Sequence, residues 1–184
     1  KELEKRKYFK VHRISGASIG SIIGFSYLAD TLLDVPTYFK KIRKCFKNNL
    51  NLSIIKEIMK ENVMKLTEEE FSKFKKGTFF VSYTKNGNQI FKSSYKTKKK
   101  LLNSILKSIH IPYLTTGKYY HIEGKNKYLD GGQPFIFNNR DENDKSHIFY
   151  LDNSNIFTMF SIKKEANSHG RLIEGALQCY NYIL

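Results

Sequence analysis

Tryptophan is absent from this chain, and cysteine and proline are scarce, with two and three residues among 184. Cys45 and Cys179 are too few for a disulfide framework, and neither belongs to a CxxC or CxxH metal motif. We therefore expect a reducing compartment. No apolar run approaches the roughly 20 residues that span a bilayer, and no signal peptide is visible. These absences predict a cytoplasmic protein without a membrane-spanning helix.

Acidic residues are few compared with basic residues. Seventeen of them face 32 lysines and arginines, for a net charge of +15. Such a field attracts anionic partners, although many of the lysines could simply be a solubilising coat. No RNP-like, KH-like or zinc-finger signature is present, so nucleic acid is not the expected partner. Acidic lipid headgroups and acidic proteins remain. Two basic clusters could contact the headgroups: Lys40, Lys41, Arg43, Lys44 and Lys47, and Lys92, Lys96, Lys98, Lys99 and Lys100.

Length and a hydrophobic content of 40% favour one folded domain over residues 1–184. Helical patterns alternate with strand patterns, which predicts a layered α/β fold. Asn86-Gly87 predicts a hairpin turn, and Thr67 with Glu70 predicts a capping box. Helices are expected at 21–34, from 36, at 52–63, after 67, at 97–110 and from 166, and strands at 8–14, 78–84, 89–95, 118–122, 127–129, 148–151 and 156–162.

The clearest chemical motif is Gly16-x-Ser18-x-Gly20, between a predicted strand and a predicted helix. This spacing is typical of a nucleophile elbow, where serine occupies a sharp turn and the glycines are expected to leave room for it. The backbone N–H of Ile19 would then serve as an oxyanion donor. The alternative is an ordinary small-residue loop before a helix.

A serine hydroxyl is a weak nucleophile unless a base activates it. Asp130 ends a predicted strand and is followed by Gly131 and Gly132, which would let the carboxylate approach a serine closely. The alternative is a plain Asp-Gly turn. Histidine is the more usual base, and His169 would complete the order Ser–Asp–His, but none of the five histidines lies in a recognisable motif.

The two motifs, in this order, resemble those of the patatin-like phospholipases. The segment LLNSILKSIHIP at 101–112 is similar to the family's helix that ends in small residues and a proline, and the hairpin at 78–95 is similar to its preceding strand pair. The resemblance covers roughly residues 9–135. It implies a three-layer α/β/α sheet and a Ser18–Asp130 dyad that needs no histidine, metal or cofactor. The implied activity is that of a serine esterase, a phospholipase A or lysophospholipase acting peripherally at anionic membranes through an acyl-enzyme.

One family feature has no counterpart here. The family has a glycine-rich loop with a basic residue upstream of the elbow, and this loop supplies oxyanion donors, whereas residues 1–15 contain no glycine. Losing one such donor typically costs about 2.7–4 kcal/mol of transition-state stabilisation. Either a segment upstream of this chain supplies the loop, or the chain is a catalytically degenerate member that binds membranes or a protein partner. Residues after about 140 resemble no family.

Overall fold

The computed structural model describes residues 2–7, 10–31, 35–75 and 77–137. The chain divides into two compact units after Ile136, and the first unit contains all described residues except Phe137. The strands predicted at 148–151 and 156–162 and the helix predicted from 166 lie outside the described residues. The assignment of residues 1–184 to one domain therefore stays a prediction.

Helices and strands alternate along the described chain, which confirms the predicted α/β class. Helix α2 begins directly after Ser18, and β5 ends at Asp130. The elements in chain order are α1 Glu2–Lys5, β1 Ile14–Ala17, α2 Ile19–Leu28, α3 Val35–Asn49, α4 Ile54–Lys65, α5 Glu68–Ser72, β2 Phe79–Lys85, β3 Asn88–Lys92, α6 Lys98–Ser108, β4 His121–Glu123 and β5 Asn126–Asp130.

Strand β2 organises a mixed five-stranded sheet. Its antiparallel partner β3 occupies one side over Val81–Lys85. The opposite side is shared by two strands, because β1 runs parallel to Phe79–Ser82 and β5 runs antiparallel to Tyr83–Lys85. Strand β4 extends the sheet beyond β5. The ends of β1 and β5 consequently meet at the middle of β2.

Local sequence signals explain several element boundaries. The Asn86-Gly87 turn joins β2 to β3, and both residues have the positive φ that such turns need. The Thr67 hydroxyl accepts from the Glu70 amide, and the Glu70 side chain returns a bond to the Thr67 amide, which confirms the predicted capping box. At the start of α6, the Thr97 hydroxyl accepts from the Lys100 amide and caps the helix by this one bond.

Aromatic side chains fill the core between α2 and β2. The rings of Phe25 and Phe74 stack with centroids 5.5 Å apart, and Phe74 meets Phe79 edge-on at 5.7 Å. A side chain at Gly24 would lie 2.8 Å from Phe79, so this glycine lets α2 approach the sheet closely. Helix α6 buries Leu101, Ile105 and their neighbours against the same core.

Helix α2 differs from its prediction in extent and in burial. It spans Ile19–Leu28 rather than 21–34, and residues 32–34 are not described. The nearly continuous apolar residues of this segment predict a helix that is buried almost all round, yet Ile19 and Ile23 are 51% and 58% exposed. Only the face that meets Phe79 and Ile14 is enclosed, because α2 packs on the sheet from one side. No described helix is long and apolar enough to cross a bilayer.

Candidate active site

Ser18 alone forms the turn between β1 and α2. Its backbone has φ 53° and ψ −130°, in the left-handed half of conformational space that residues with a side chain rarely occupy. Such a conformation costs of the order of 1–3 kcal/mol and persists only where the surroundings enforce it. A strained serine between a strand and a helix is the geometry of a nucleophile elbow.

The two glycines of the motif have different roles. A side chain at Gly16 would overlap the carbonyl group of Gly20 and lie 2.6 Å from the Ser21 amide nitrogen. A side chain at Gly20 would meet no atom within 4 Å. Gly16 therefore allows the first turn of α2 to fold back over β1, as expected. The expectation that Gly20 also prevents a clash was wrong, because its α-carbon faces open space.

Hydrogen bonds fix the backbone of Ser18 on both sides. Its N–H donates to the hydroxyl of Ser108 on α6, at 3.0 Å. Its carbonyl accepts from the amide of Ser21 at 3.0 Å and from the Ser21 hydroxyl at 2.7 Å. Ile19 occupies the first helical position, where the N–H has no acceptor within the helix. That N–H is the predicted oxyanion donor.

The sheet brings Asp130 beside Ser18, although the two residues are far apart in sequence. Ala17, at the end of β1, lies opposite Ser82 of β2, and Asp130, at the end of β5, lies opposite the next residue, Tyr83. Because β1 and β5 share one side of β2, the residue after Ala17 adjoins Asp130. The structure thus unites the two residues that the sequence singled out.

The two oxygens of the Asp130 carboxyl group differ in their hydrogen bonding. Its Oδ1 accepts from the Gly132 amide at 2.8 Å, and its backbone N–H donates to the His110 carbonyl at 2.9 Å. Its Oδ2 is buried without a hydrogen-bond partner among the described residues. A buried acceptor without a partner is costly and is uncommon outside functional sites.

Burial raises the pKa of Asp130 above the usual aspartate range, despite opposing contributions from the Ser18 side chain, the Gly132 amide and His110. The Ser18 hydroxyl is close enough to act on this pKa, yet no hydrogen bond of standard geometry joins it to Oδ2. Catalytic hydrogen bonds are often long or poorly aligned until substrate binds. A carboxylate with a raised pKa is a better proton acceptor near neutral pH.

The Asp-Gly-Gly turn is held against β2 by close packing and by one amide side chain. A side chain at Gly131 would overlap the Ser82 carbonyl group, and Gly132 has a positive φ of 64°. Gln89 Nε2, on β3, donates to the carbonyls of Gly131 at 3.0 Å and Gln133 at 2.9 Å. Sequence reasoning did not find Gln89, because no motif marks a polar residue on a hairpin strand.

Two of the three described histidines have hydrogen-bond partners other than Ser18. His110 is buried, burial lowers its pKa, and its Nε2 pairs with the Tyr119 carbonyl at 3.3 Å. His121 pairs with Glu123 at 3.4 Å. His169, the predicted third member of a triad, lies outside the described residues. Within the described ranges no group of three or more histidine, cysteine or acidic side chains could hold a metal ion.

Comparisons with known proteins leave this site to be judged on its geometry. No family model, no curated protein and no solved structure matches the chain.

Proposed function

We propose that this protein is a serine lipid acyl-ester hydrolase of the patatin-like type, with Ser18 as nucleophile and Asp130 as its base. The observation that supports it best is the junction at Ser82 and Tyr83 of β2, where a strained serine adjoins a buried carboxyl group whose Oδ2 has no described partner. We also propose the three-layer α/β/α arrangement of that family. The described residues contribute a mixed five-stranded sheet and its helices.

The proposed reaction has two steps. Ser18 Oγ attacks the ester carbonyl carbon while Asp130 Oδ2 takes the hydroxyl proton, and the Ile19 N–H stabilises the oxyanion. The alcohol portion leaves with the proton from Asp130, and an acyl-enzyme remains. Water then attacks the acyl carbon, Asp130 takes a proton from it, and that proton returns to Ser18 Oγ as the fatty acid leaves.

A lipid substrate is favoured by the surface next to the nucleophile. Ile19 and Ile23 lie one helical turn apart on the same face of α2, and more than half of each side chain is exposed. Ile19 directly follows Ser18. An apolar acyl chain could cover both side chains, whereas a small polar ester would leave them in water.

Anionic membrane contact belongs to the same proposal. All five basic residues of the α3 cluster are exposed. The second cluster is less available than predicted, because Lys98 pairs with Glu68 at 3.3 Å and donates to the Leu66 carbonyl, and Lys92 is partly buried. We therefore propose α3 as the element that meets acidic headgroups, at the cytoplasmic side of a membrane.

The second candidate is a catalytically degenerate module that binds membranes or a protein partner. It is favoured by the absence of glycine from residues 1–15, which leaves Ile19 as the one oxyanion donor identified in this chain. Nucleic-acid binding has only the net charge in its favour, and it would appear as salt-dependent binding to DNA or RNA.

The deciding experiment treats the full-length natural protein with a fluorophosphonate probe and locates the label by mass spectrometry. We expect a label on Ser18 that disappears in Asp130→Asn. Ser26→Ala is the matched control, since the Ser26 hydroxyl donates to the Ile22 carbonyl within α2. If the folded natural protein acquires no label on Ser18, the hydrolase proposal is wrong, and vesicle and partner binding should be measured instead.

Lipid hydrolysis should depend on the same two residues. Ser18→Ala and Asp130→Asn are each expected to reduce release of fatty acid from phospholipid vesicles to the background rate, because one removes the nucleophile and the other its base. Circular dichroism checks that both variants remain folded. Activity close to that of the unmodified protein in either variant would contradict the dyad.

A further inference from the structure

The end of α6 contacts the backbone of both proposed catalytic residues. The Ser108 hydroxyl, in the last residue of the helix, accepts from the Ser18 N–H at 3.0 Å. Two residues later, the His110 carbonyl accepts from the Asp130 N–H at 2.9 Å. One short segment therefore binds the backbone of the nucleophile, directly after β1, and of the base, at the end of β5.

This segment is itself rigidly held. Ser108 and His110 are almost fully buried, and α6 packs against β2 and β5. The Thr115 hydroxyl donates to the Ile109 carbonyl at 2.8 Å and accepts from the Ile111 N–H at 3.0 Å. Pro112 then prevents the helix from continuing. A segment fixed in this way can impose a position on residues bonded to it.

We propose that Ser108 is a positioning residue for the hydrolase reaction: its hydroxyl holds the Ser18 amide, so that the end of α6 sets the separation of Ser18 from Asp130. This inference rests on the proposed function. The hydrogen bond also occupies the Ser18 N–H, which leaves the Ile19 N–H as the donor for the oxyanion.

The physical reason lies in the strain at Ser18. A serine with φ 53° relaxes unless its neighbours hold it, and the described contacts of its N–H consist of the bond to Ser108. Losing that acceptor would leave the partly buried N–H without its bond to Ser108 and would free the turn to move. A displacement of about 1 Å in a catalytic group can reduce a rate by about 100-fold.

The test compares Ser108→Ala with Ser104→Ala in the full-length natural protein. Ser104 is also buried on α6, but its hydroxyl donates to the Lys100 carbonyl and it contacts neither catalytic residue. We expect Ser108→Ala to slow fluorophosphonate labelling of Ser18 by about 10- to 100-fold and to lower kcat on a short-chain nitrophenyl ester with KM unchanged. Ser104→Ala should match the unmodified protein in both measurements.

Ser108→Cys continues the test if the alanine variant does not fold. A thiol is somewhat larger than the hydroxyl, so it leaves no cavity, and it accepts hydrogen bonds weakly, so labelling should again slow in a folded variant. An unchanged labelling rate and kcat in a folded Ser108 variant, with or without a lower Tm, would overturn the positioning role and leave the proposed function intact. Absence of labelling in the unmodified protein would overturn the proposed function, and this inference with it.

Discussion

Gly16 occupies a position where even a single added carbon atom does not fit. The first turn of α2 passes so close to β1 that a β-carbon at this position has no space, whereas a β-carbon at Gly20, on the other side of the serine, would extend into open space. The motif thus contains one glycine required by packing and one that packing does not require. Neither the spacing nor the residue type distinguishes the two in the sequence.

Alanine substitutions should separate the two glycines. Gly16→Ala forces the backbones of β1 and α2 apart, and we expect a loss of about 3 kcal/mol in the free energy of unfolding together with loss of probe labelling. Gly20→Ala should be neutral or stabilise by up to about 1 kcal/mol, because alanine favours the helix. Urea titration of both variants gives the values, and equal destabilisation would contradict the assigned contacts.

Asp130 should be a residue whose removal costs activity and increases stability. In Asp130→Asn the amide can donate to Ser18 Oγ and still accept from Gly132, so the cost of a buried charge disappears. We expect inactivity and a Tm higher by roughly 3 °C at neutral pH, equivalent to about 1 kcal/mol. A lower Tm in the variant would show that the carboxylate stabilises the fold.

The stability difference should depend on pH with a defined sign. The folded-state pKa of Asp130 lies above its unfolded value, so the folded protein binds the proton more tightly and gains relative stability as the pH falls. The Tm advantage of Asp130→Asn should therefore shrink as the pH is lowered through the folded-state pKa. Melting curves over a pH series test this, and an advantage that grows on acidification would contradict it.

Activity should show the complementary dependence. The proposed base must be unprotonated, so kcat/KM should fall on the acid side with a midpoint above about 3.9, the value for an unperturbed aspartate. A charged His110 would lower the pKa of Asp130. Burial, however, lowers the pKa of His110 and so disfavours its charged form. A midpoint at or below the value for a free aspartate would indicate that another group limits the rate.

Among the elements, β3 is the one that secures the Asp-Gly-Gly turn. Gln89 is expected to tolerate few replacements, because its amide donates to two carbonyls of that turn. Gln89→Glu would place acceptors against these carbonyls, so probe labelling of Ser18 should slow about tenfold. Asn88→Asp, the neighbouring exposed residue on β3, is the control and should label normally. Equal labelling rates in the two variants would exclude a role for Gln89 in holding the turn.

The sequence predicted the tight local motifs of these elements well and their long-range partners poorly, and it misplaced β1, which spans Ile14–Ala17 rather than 8–14. The hairpin at Asn86-Gly87 and the box at Thr67 were predictable because each involves residues within a few positions of one another. The bond from Ser18 to Ser108 joins residues 90 apart, and the bond from Gln89 to Gly131 joins residues 42 apart. Such pairs follow from sheet register and from the packing of α6 on the sheet, neither of which one sequence reveals.

The elbow illustrates the same division. Its serine was predicted from the spacing of the Gly-x-Ser-x-Gly motif, the following helix from its apolar residues, and Asp130 from the two glycines that follow it at a strand end. The exposure of Ile19 and Ile23 was not, because an almost continuous apolar run predicts burial on all sides. Only packing of α2 against one face of the sheet determines which of these side chains remain in contact with water.

For the whole molecule, the net charge of +15 predicts binding to acidic vesicles that weakens with salt. Lys40, Arg43 and Lys44 share one face of α3, and their combined reversal to glutamate should weaken binding to phosphatidylserine vesicles at least about 100-fold. Reversal of an equal number of exposed lysines elsewhere, Lys56, Lys60 and Lys73, is the matched control. Equal losses in a sedimentation assay would mean that only total charge matters.

The shared side of β2 has a consequence for how this protein is made. During synthesis Ser18 leaves the ribosome with β1, long before Asp130 arrives at the end of β5, and β2 must be in place before the two can adjoin. Until β5 joins the sheet, Ser18 lacks the proposed base beside it. A cell would thus meet the proposed hydrolytic activity only in chains in which β5 has joined β2.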